Sequence, residues 1–131
     1  MRTLLTALAL LPLTLGLAAC GGDDDEGGGG PPVTFQKGQQ VAIKGFEYRF
    51  EPENVVVEGG GGRVPVEFEN AGSLAHNVRF FRDGSDVGGS TTFAGGETKT
   101  TTVELQPGEY ELICTVGDHA DLGMKGKLTV R

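Results

Sequence analysis

The sequence contains no tryptophan, and only two cysteines and two histidines occur among its 131 residues. Two cysteines cannot form a framework of several disulfide bridges, so a disulfide-stapled scaffold is not expected. Basic residues are also scarce, since 11 lysines and arginines stand against 18 acidic residues and give a formal net charge of −7. Because contacts to phosphate depend on lysine and arginine, this balance argues against nucleic-acid binding.

The longest apolar stretch lies at the N-terminus and is too short for a membrane helix, which needs ~20 apolar residues. Arg2, the apolar segment Leu4–Leu17 and the small residues that follow it predict a secretory signal over residues 1–19. The tail Leu17-Ala18-Ala19-Cys20 resembles the lipobox of bacterial lipoproteins, which implies lipidation of Cys20 after cleavage. The resemblance implies an extracytoplasmic protein anchored to the cell membrane by lipid, in the periplasm or at the cell surface. An ordinary signal peptide cleaved nearby is the alternative.

The segment after Cys20 has the composition of a flexible tether. Gly21–Pro32 contains glycine, proline and four consecutive acidic residues, Asp23–Glu26, but no apolar residue. Without apolar side chains to bury, such a segment does not offset the entropy of ordering. We therefore predict a disordered tether over residues 20–39, with a random-coil reach of roughly 25 Å, and a folded domain over residues 40–131.

The rest of the chain alternates apolar and polar residues over many short stretches, beginning with Val41 and Ile43. Turn signals such as Gly59–Gly62 and Pro107-Gly108 separate these stretches, and no window has sustained helical spacing. The pattern predicts an all-β domain, a β-sandwich of seven or eight strands. A change in the phase of the alternation at Gly45 predicts a β-bulge there.

Soft metal ligands are concentrated near the C-terminus, where Cys114, His119 and Met124 form a Cys-x4-His-x4-Met pattern. Thiolate and thioether groups suit Cu(I), and two imidazoles with one thiolate and a weak axial thioether are the pattern of blue-copper sites. The second imidazole that this pattern needs can come only from His76, the other histidine of the chain. Each residue alone is an ordinary core residue, but together they predict a copper site.

Three further motifs surround these residues: Asn70-Ala71-Gly72 before His76, Pro107-Gly108-Glu109-Tyr110 before Cys114, and Met124-Lys125-Gly126 after His119. In this arrangement the sequence resembles the cupredoxins, the blue copper proteins that include plastocyanin, azurin, auracyanin and rusticyanin. The spacing of the ligand loop is closest to the auracyanin- and rusticyanin-like members. The resemblance covers the whole predicted domain and implies a Greek-key β-sandwich that holds one copper ion. The implied ligands are His76, Cys114, His119 and Met124.

The resemblance also implies how the ligand loops are held. Asn77 and Thr115 follow the first histidine and the cysteine, and we expect a hydrogen bond between them. We also expect the backbone N–H of Asn77 to point at the sulfur of Cys114. Tyr110 is expected to be structural, with its hydroxyl group tying a corner of the chain.

By the same resemblance the protein is an electron carrier rather than an enzyme, and its partner is a redox protein such as a cytochrome or an oxidase. We expect a monomer. Ala120 and Leu122 would form an apolar patch beside His119, with Asp118 and Asp121 at its rim. These acids would attract a basic partner and raise the encounter rate at low salt. The alternative is that they only keep the surface soluble.

Other functional classes share parts of this ligand pattern. A copper-binding module for storage, delivery or sensing would use the same ligands without sustained electron transfer. A zinc hydrolase could use Cys114, His76 and His119 with an open fourth position, but no motif supplies a catalytic base. A Cys-His nucleophilic enzyme lacks a recognisable oxyanion-stabilising motif. A dinuclear copper centre of the cytochrome oxidase type needs a second loop cysteine, and multicopper oxidases need many histidines.

Replacing Cys20 by alanine is expected to abolish lipidation and release the protein from the membrane fraction, because the lipobox cysteine carries the anchor. Incorporation of labelled fatty acid and partitioning into detergent measure the effect. Cys114→Ala is the control and should remain lipidated. A Cys20→Ala protein that still carries fatty acid would contradict the lipoprotein interpretation.

Overall fold

The alternating residues form ten β-strands within residues 29–131, the part of the chain that this computed structural model describes. The predicted signal segment and Cys20 lie outside these residues. Residues 29–131 contain no helix, and hence none long and apolar enough to cross a membrane. The strands are β1 (Val33–Gln36), β2 (Val41–Phe46), β3 (Arg49–Glu51), β4 (Asn54–Glu58), β5 (Gly62–Asn70), β6 (Arg79–Arg82), β7 (Ser85–Gly89), β8 (Thr98–Leu105), β9 (Gly108–Ile113) and β10 (Lys125–Val130).

The strands build two sheets, one with the order β1-β4-β10-β9-β6-β7 and one with the order β3-β2-β5-β8. Three pairs are parallel, β1 with β4, β4 with β10 and β2 with β5, and the other pairs are antiparallel. Buried side chains from both sheets form one hydrophobic cluster. The predicted all-β sandwich is confirmed, but it has ten strands instead of seven or eight. The difference includes β1, which lies in the predicted tether, and β7, whose sequence predicts a loop.

The alternation seen in the sequence matches the burial of the strands. In β5 every second residue from Val64 to Asn70 is buried, and in β9 the buried residues are Tyr110 and Leu112. The Tyr110 hydroxyl group donates to the carbonyl oxygen of Gln106 at 2.8 Å and accepts from its N–H at 2.8 Å. The predicted structural role of Tyr110 at a corner is therefore confirmed.

The ordered domain begins earlier than the sequence predicts. Val33–Gln36 were expected to belong to a disordered tether ending at residue 39, but they form β1 at the edge of the larger sheet. Val33 lies opposite Val55, and Gln36 lies opposite Glu58 on β4. Because only Phe35 in this strand is partly buried, backbone pairing with β4 holds β1 in place more than apolar burial does. Composition carries no signal for such pairing.

The β-bulge predicted at Gly45 is wrong. Burial alternates without interruption along β2 through Gly45, and the chain then reverses at Glu47 and Tyr48 into β3. The phase change in the sequence therefore reflects a turn. The backbone of Tyr48 has a φ of 67°, in the left-handed region that few non-glycine residues adopt.

A glycine is required at residue 45 because the backbone there packs closely against core side chains. A Cβ atom there would lie 2.6 Å from Cζ of Phe68 and 3.1 Å from Cε of Met124. Phe68 is fully buried in the core, and so is Met124. Because residue 45 has no side chain, the backbone of β2 can pack directly against the buried side chains of Phe68 and Met124.

Gly45→Ala is expected to destabilise the metal-free domain by about 1–3 kcal/mol, because the added methyl group overpacks a rigid site. Chemical denaturation followed by circular dichroism measures the change. Gly30→Ala is the matched control, since a Cβ there meets nothing within 4 Å, and it should change the free energy of unfolding by less than about 0.5 kcal/mol. Equal stability of the two variants would contradict this account of the packing.

Candidate metal centre

The loop after β5 places His76 at one end of the sandwich. His76 pairs with Phe93 through two backbone hydrogen bonds, one of 3.2 Å from the N–H of His76 and one of 3.1 Å to its carbonyl oxygen. Asn70 at the end of β5 is fully buried, and its amide donates to the carbonyl oxygens of Leu74 and Phe93 at 2.9 and 3.0 Å. These bonds fix the backbone on both sides of the histidine.

The second ligand loop connects β9 to β10 and folds back on itself. The N–H of Cys114 donates to the carbonyl oxygen of Met124 at 3.2 Å, and the N–H of Met124 donates to that of His119 at 2.9 Å. His119 also donates its N–H to Val116 at 3.1 Å, which closes a tight turn. Cysteine, histidine and methionine are therefore linked through their backbones.

The two loops bring the predicted sulfur and imidazole donors together. The Sγ atom of Cys114 lies 3.9 Å from Nδ1 of His76 and 3.7 Å from Nδ1 of His119. The two Nδ1 atoms are 3.1 Å apart. Cys114 and His76 are 0% exposed and His119 is 8% exposed, so the three donors form a buried cluster.

This donor set fits a single copper ion. Metal–nitrogen and metal–sulfur bonds of about 2.0–2.3 Å place neighbouring donors about 3–4 Å apart, as found among these three atoms. One thiolate and two imidazoles are the equatorial set of a blue-copper site. Met124 is fully buried at the end of the same loop, and its bond to the metal stays a prediction.

The predicted link between the ligand loops is present. Nδ2 of Asn77 donates to Oγ1 of Thr115 at 2.8 Å, and the N–H of Thr115 donates to Oδ1 of Asn77 at 2.8 Å. The same amide donates to Oγ1 of Thr92 at 2.9 Å, a contact that the sequence did not indicate. The contact expected from the backbone N–H of Asn77 to the sulfur of Cys114 stays a prediction.

Glu47 is a site residue that the sequence analysis missed. Its carboxylate accepts hydrogen bonds from the N–H groups of Ser73 and Leu74, at 2.6 and 2.9 Å, and lies 3.4 Å from Nε2 of His76. The backbone donors of Leu74 and Ser73 lower the pKa of Glu47 from 4.5 to about 2. Glu47 is one of 18 acidic residues and lies 29 positions before His76, so no local pattern marks it.

The surroundings of His76 favour its neutral form, and an aromatic contact orients the ring of His119. Burial lowers the pKa of His76 below its usual value, although the hydrogen bond to Glu47 opposes this shift. Neutral imidazole is the form that binds a metal. The ring of Tyr48 meets the ring of His119 edge-on, with 5.2 Å between centroids and 71° between planes.

The residues predicted to form a patch around His119 differ in their exposure. Leu122 is 51% exposed, Ala120 is partly buried, and Asp118 and Asp121 are exposed. Leu74 on the other ligand loop is also exposed, at 43%, and was not predicted. The ligand loops therefore carry two large apolar side chains on the surface.

Comparison with known proteins places this arrangement in a family. The family model described as copper binding proteins, plastocyanin/azurin family, matches residues 37–131. The chain belongs to this family. A comparison with curated proteins finds no match. As a cupredoxin, the chain has copper as its cofactor, and His76, Cys114 and His119 form a site that can hold it.

Solved structures of auracyanins have the same fold. Reduced auracyanin from Roseiflexus castenholzii matches with a TM-score of 0.64 and 21% identity, over 70% of this chain and 96% of its own. Auracyanin B matches with a TM-score of 0.65 and 21% identity, over 79% of this chain and 96% of its own. Auracyanin A, a "blue" copper protein from Chloroflexus aurantiacus, matches with a TM-score of 0.58 and 25% identity, over 77% of this chain and 100% of its own.

The hydrogen bonds to Glu47 predict acid sensitivity of the metal-free domain. The folded state holds Glu47 as a carboxylate down to about pH 2, whereas the unfolded chain binds the proton near pH 4.5. The unfolded state therefore binds more protons between these values, and the free energy of unfolding should fall as the pH is lowered from about 5 to 2. Glu47→Gln should reduce this fall.

Urea denaturation of the metal-free protein at several pH values measures the effect. Glu104→Gln on β8 is the control, because the Glu104 side chain is exposed and none of the hydrogen bonds to the ligand loops within residues 29–131 involves it, and it should keep the original slope. The same slope in the Glu47→Gln protein would contradict a stabilising role for the ionised carboxylate.

Proposed function

We propose that this protein is an electron carrier in which one copper ion alternates between Cu(I) and Cu(II). The observation that carries the proposal is the approach of Cys114 Sγ and the two histidine Nδ1 atoms to within 4 Å of one another in a buried site. Copper supplies a one-electron couple, so an electron taken from a donor protein passes to an acceptor and no covalent bond forms or breaks. Met124 is the proposed weak axial ligand.

The support for a carrier is the rigidity of the ligand framework. Both the backbone N–H and the carbonyl oxygen of His76 are hydrogen-bonded to Phe93, and the N–H of Cys114 donates to the carbonyl oxygen of Met124. The hydrogen bonds between Asn77 and Thr115 join the two ligand loops. Donors held in place by packing and hydrogen bonds need little rearrangement when the charge of the ion changes. Small rearrangement favours fast electron transfer.

The same site gives little support to a hydrolytic enzyme. A catalytic zinc site keeps an open position for water or substrate. Here Cys114 and His76 are fully buried, and only the edge of His119 reaches the surface. The chain has no histidines besides these two, so the additional copper centres of a multicopper oxidase have no imidazole ligands.

We also propose that a lipid on Cys20 holds the domain at the membrane, outside the cytoplasm. The carbonyl oxygen of Gly30 accepts a hydrogen bond of 3.1 Å from Asn54, the first residue of β4. Asn54 lies opposite Lys127 on β10. Lys127 follows the ligand-loop residue Met124 by only three positions. Residues 29 and 30 therefore lie towards the end of the sandwich that carries the metal ligands. A tether leaving there would keep the site near the membrane surface.

The proposed partner is a redox protein, a cytochrome or an oxidase, that docks on a monomeric domain near His119. The exposed Leu122 and Leu74 offer apolar contact beside the buried imidazole. Asp118 and Asp121 add negative charge around Leu122, which suits a partner with a basic face.

Addition of Cu(II) to the purified protein is expected to produce an intense blue absorption band, because charge passes from the Cys114 thiolate to copper. Cys114→Ser should abolish this band, and Cys20→Ser should leave it unchanged as the matched control. Potentiometry of the loaded protein should show a reversible one-electron couple. A colourless protein would contradict the copper site, and a blue protein without reversible cycling would favour copper storage, delivery or sensing.

A further inference from the structure

Two adjacent residues of the turn between β2 and β3 contact both histidines of the site. The carboxylate of Glu47 lies 3.4 Å from Nε2 of His76. The ring of Tyr48 packs edge-on against the ring of His119 at 5.2 Å. Tyr48 has a φ of 67°, an uncommon and unfavourable backbone conformation for a bulky residue. Such conformations persist where the surrounding structure requires them, often at functional sites.

The position of Glu47 favours one tautomer of the neutral His76 imidazole. A neutral imidazole has one donor nitrogen and one acceptor nitrogen, and an ionised carboxylate can only accept. A proton on Nδ1 would leave the Nε2 lone pair facing the Glu47 carboxylate, which is repulsive. A proton on Nε2 is attracted to that carboxylate and leaves the Nδ1 lone pair facing Nδ1 of His119, 3.1 Å away, and Sγ of Cys114, 3.9 Å away.

The loop between β5 and His76 accommodates the carboxylate of Glu47. Glu47 accepts from the N–H groups of Ser73 and Leu74, which precede His76. A Cβ atom on Gly72 would collide with the Glu47 carboxylate, so the glycine of the Asn70-Ala71-Gly72 motif allows the approach. Glu47 therefore contacts three consecutive residues of this loop, Gly72, Ser73 and Leu74, in addition to His76.

The negative charge of Glu47 is expected to influence the reduction potential of a copper ion bound at His76. A carboxylate hydrogen-bonded to a ligating histidine orients the ring and raises the basicity of the ligand. Negative charge near the site favours the ion of higher charge, which is Cu(II) over Cu(I). The carboxylate should therefore lower the reduction potential of the couple.

We propose that the Glu47–Tyr48 turn is a positioning element of the copper site: Glu47 fixes the tautomer of His76 and lowers the reduction potential, and Tyr48 holds the ring of His119. This inference rests on the proposed function of electron transfer. The simpler role for Glu47 would be to anchor the loop through Ser73 and Leu74 without influence on the metal.

Glu47→Gln separates the two roles, because glutamine keeps an oxygen that accepts from Ser73 and Leu74 but removes the charge. We expect the Cu(II)-to-Cu(I) ratio at a fixed ambient potential to fall about tenfold, which corresponds to a rise of about 59 mV in reduction potential. Glu69→Gln is the matched control, since it removes a charge that pairs with Lys44 instead of a histidine, and it should change the ratio less than twofold.

Tyr48→Leu tests the second half of the turn. The substitution keeps an apolar side chain but removes the aromatic edge that meets His119. The copper hyperfine splitting in the electron paramagnetic resonance spectrum should change, while loading with copper is retained. A spectrum identical to that of the unchanged protein would show that Tyr48 does not position the ring.

The tautomer of His76 can be measured in the metal-free protein, without copper. Imidazole ¹⁵N chemical shifts of the metal-free protein should show the proton of His76 on Nε2, and a mixture of tautomers should appear in the Glu47→Gln protein. A proton on Nδ1 in the unchanged protein, or an unchanged potential in Glu47→Gln, would overturn the inference and leave electron transfer standing. Failure of electron transfer itself would instead appear as an unchanged protein that takes up no copper or does not cycle.

Discussion

The copper site depends on the approach of one sulfur and two imidazole nitrogens among buried residues. Sγ of Cys114 and the Nδ1 atoms of His76 and His119 come from positions up to 43 residues apart, and they meet only because both ligand loops lie at the same end of the sandwich. β5 and β9, which precede the two loops, lie in different sheets. The packing of the sheets is thus what assembles the site.

Polar groups buried in this way are costly unless each finds a partner. Within residues 29–131, every buried side-chain nitrogen or oxygen atom has one. Asn70 and Asn77 supply much of this network, holding the backbone before His76 and the start of the second loop. A metal bound by deprotonated ligands adds its binding free energy to that of folding, which matters for a domain with a small core.

Patterns over short stretches of sequence were enough to predict the strands and part of the metal site. Alternation predicted the sandwich, and the spacing of Cys114, His119 and Met124 predicted the soft donor set. The contacts of Glu47 and the strand β1 were missed because both depend on partners more than 20 residues away, Glu47 on His76 and Val33 on Val55. Gly45 was misread since a change of phase is the same in sequence for a bulge and for a turn such as Glu47-Tyr48.

The most direct test of the account is X-ray absorption spectroscopy at the copper edge of the loaded protein. One short copper–sulfur bond and two imidazole nitrogens are expected around each ion, and the sulfur signal should be lost when Cys114 is replaced by serine. Copper surrounded only by nitrogen and oxygen atoms would show that these donors do not share one ion, and would contradict the account.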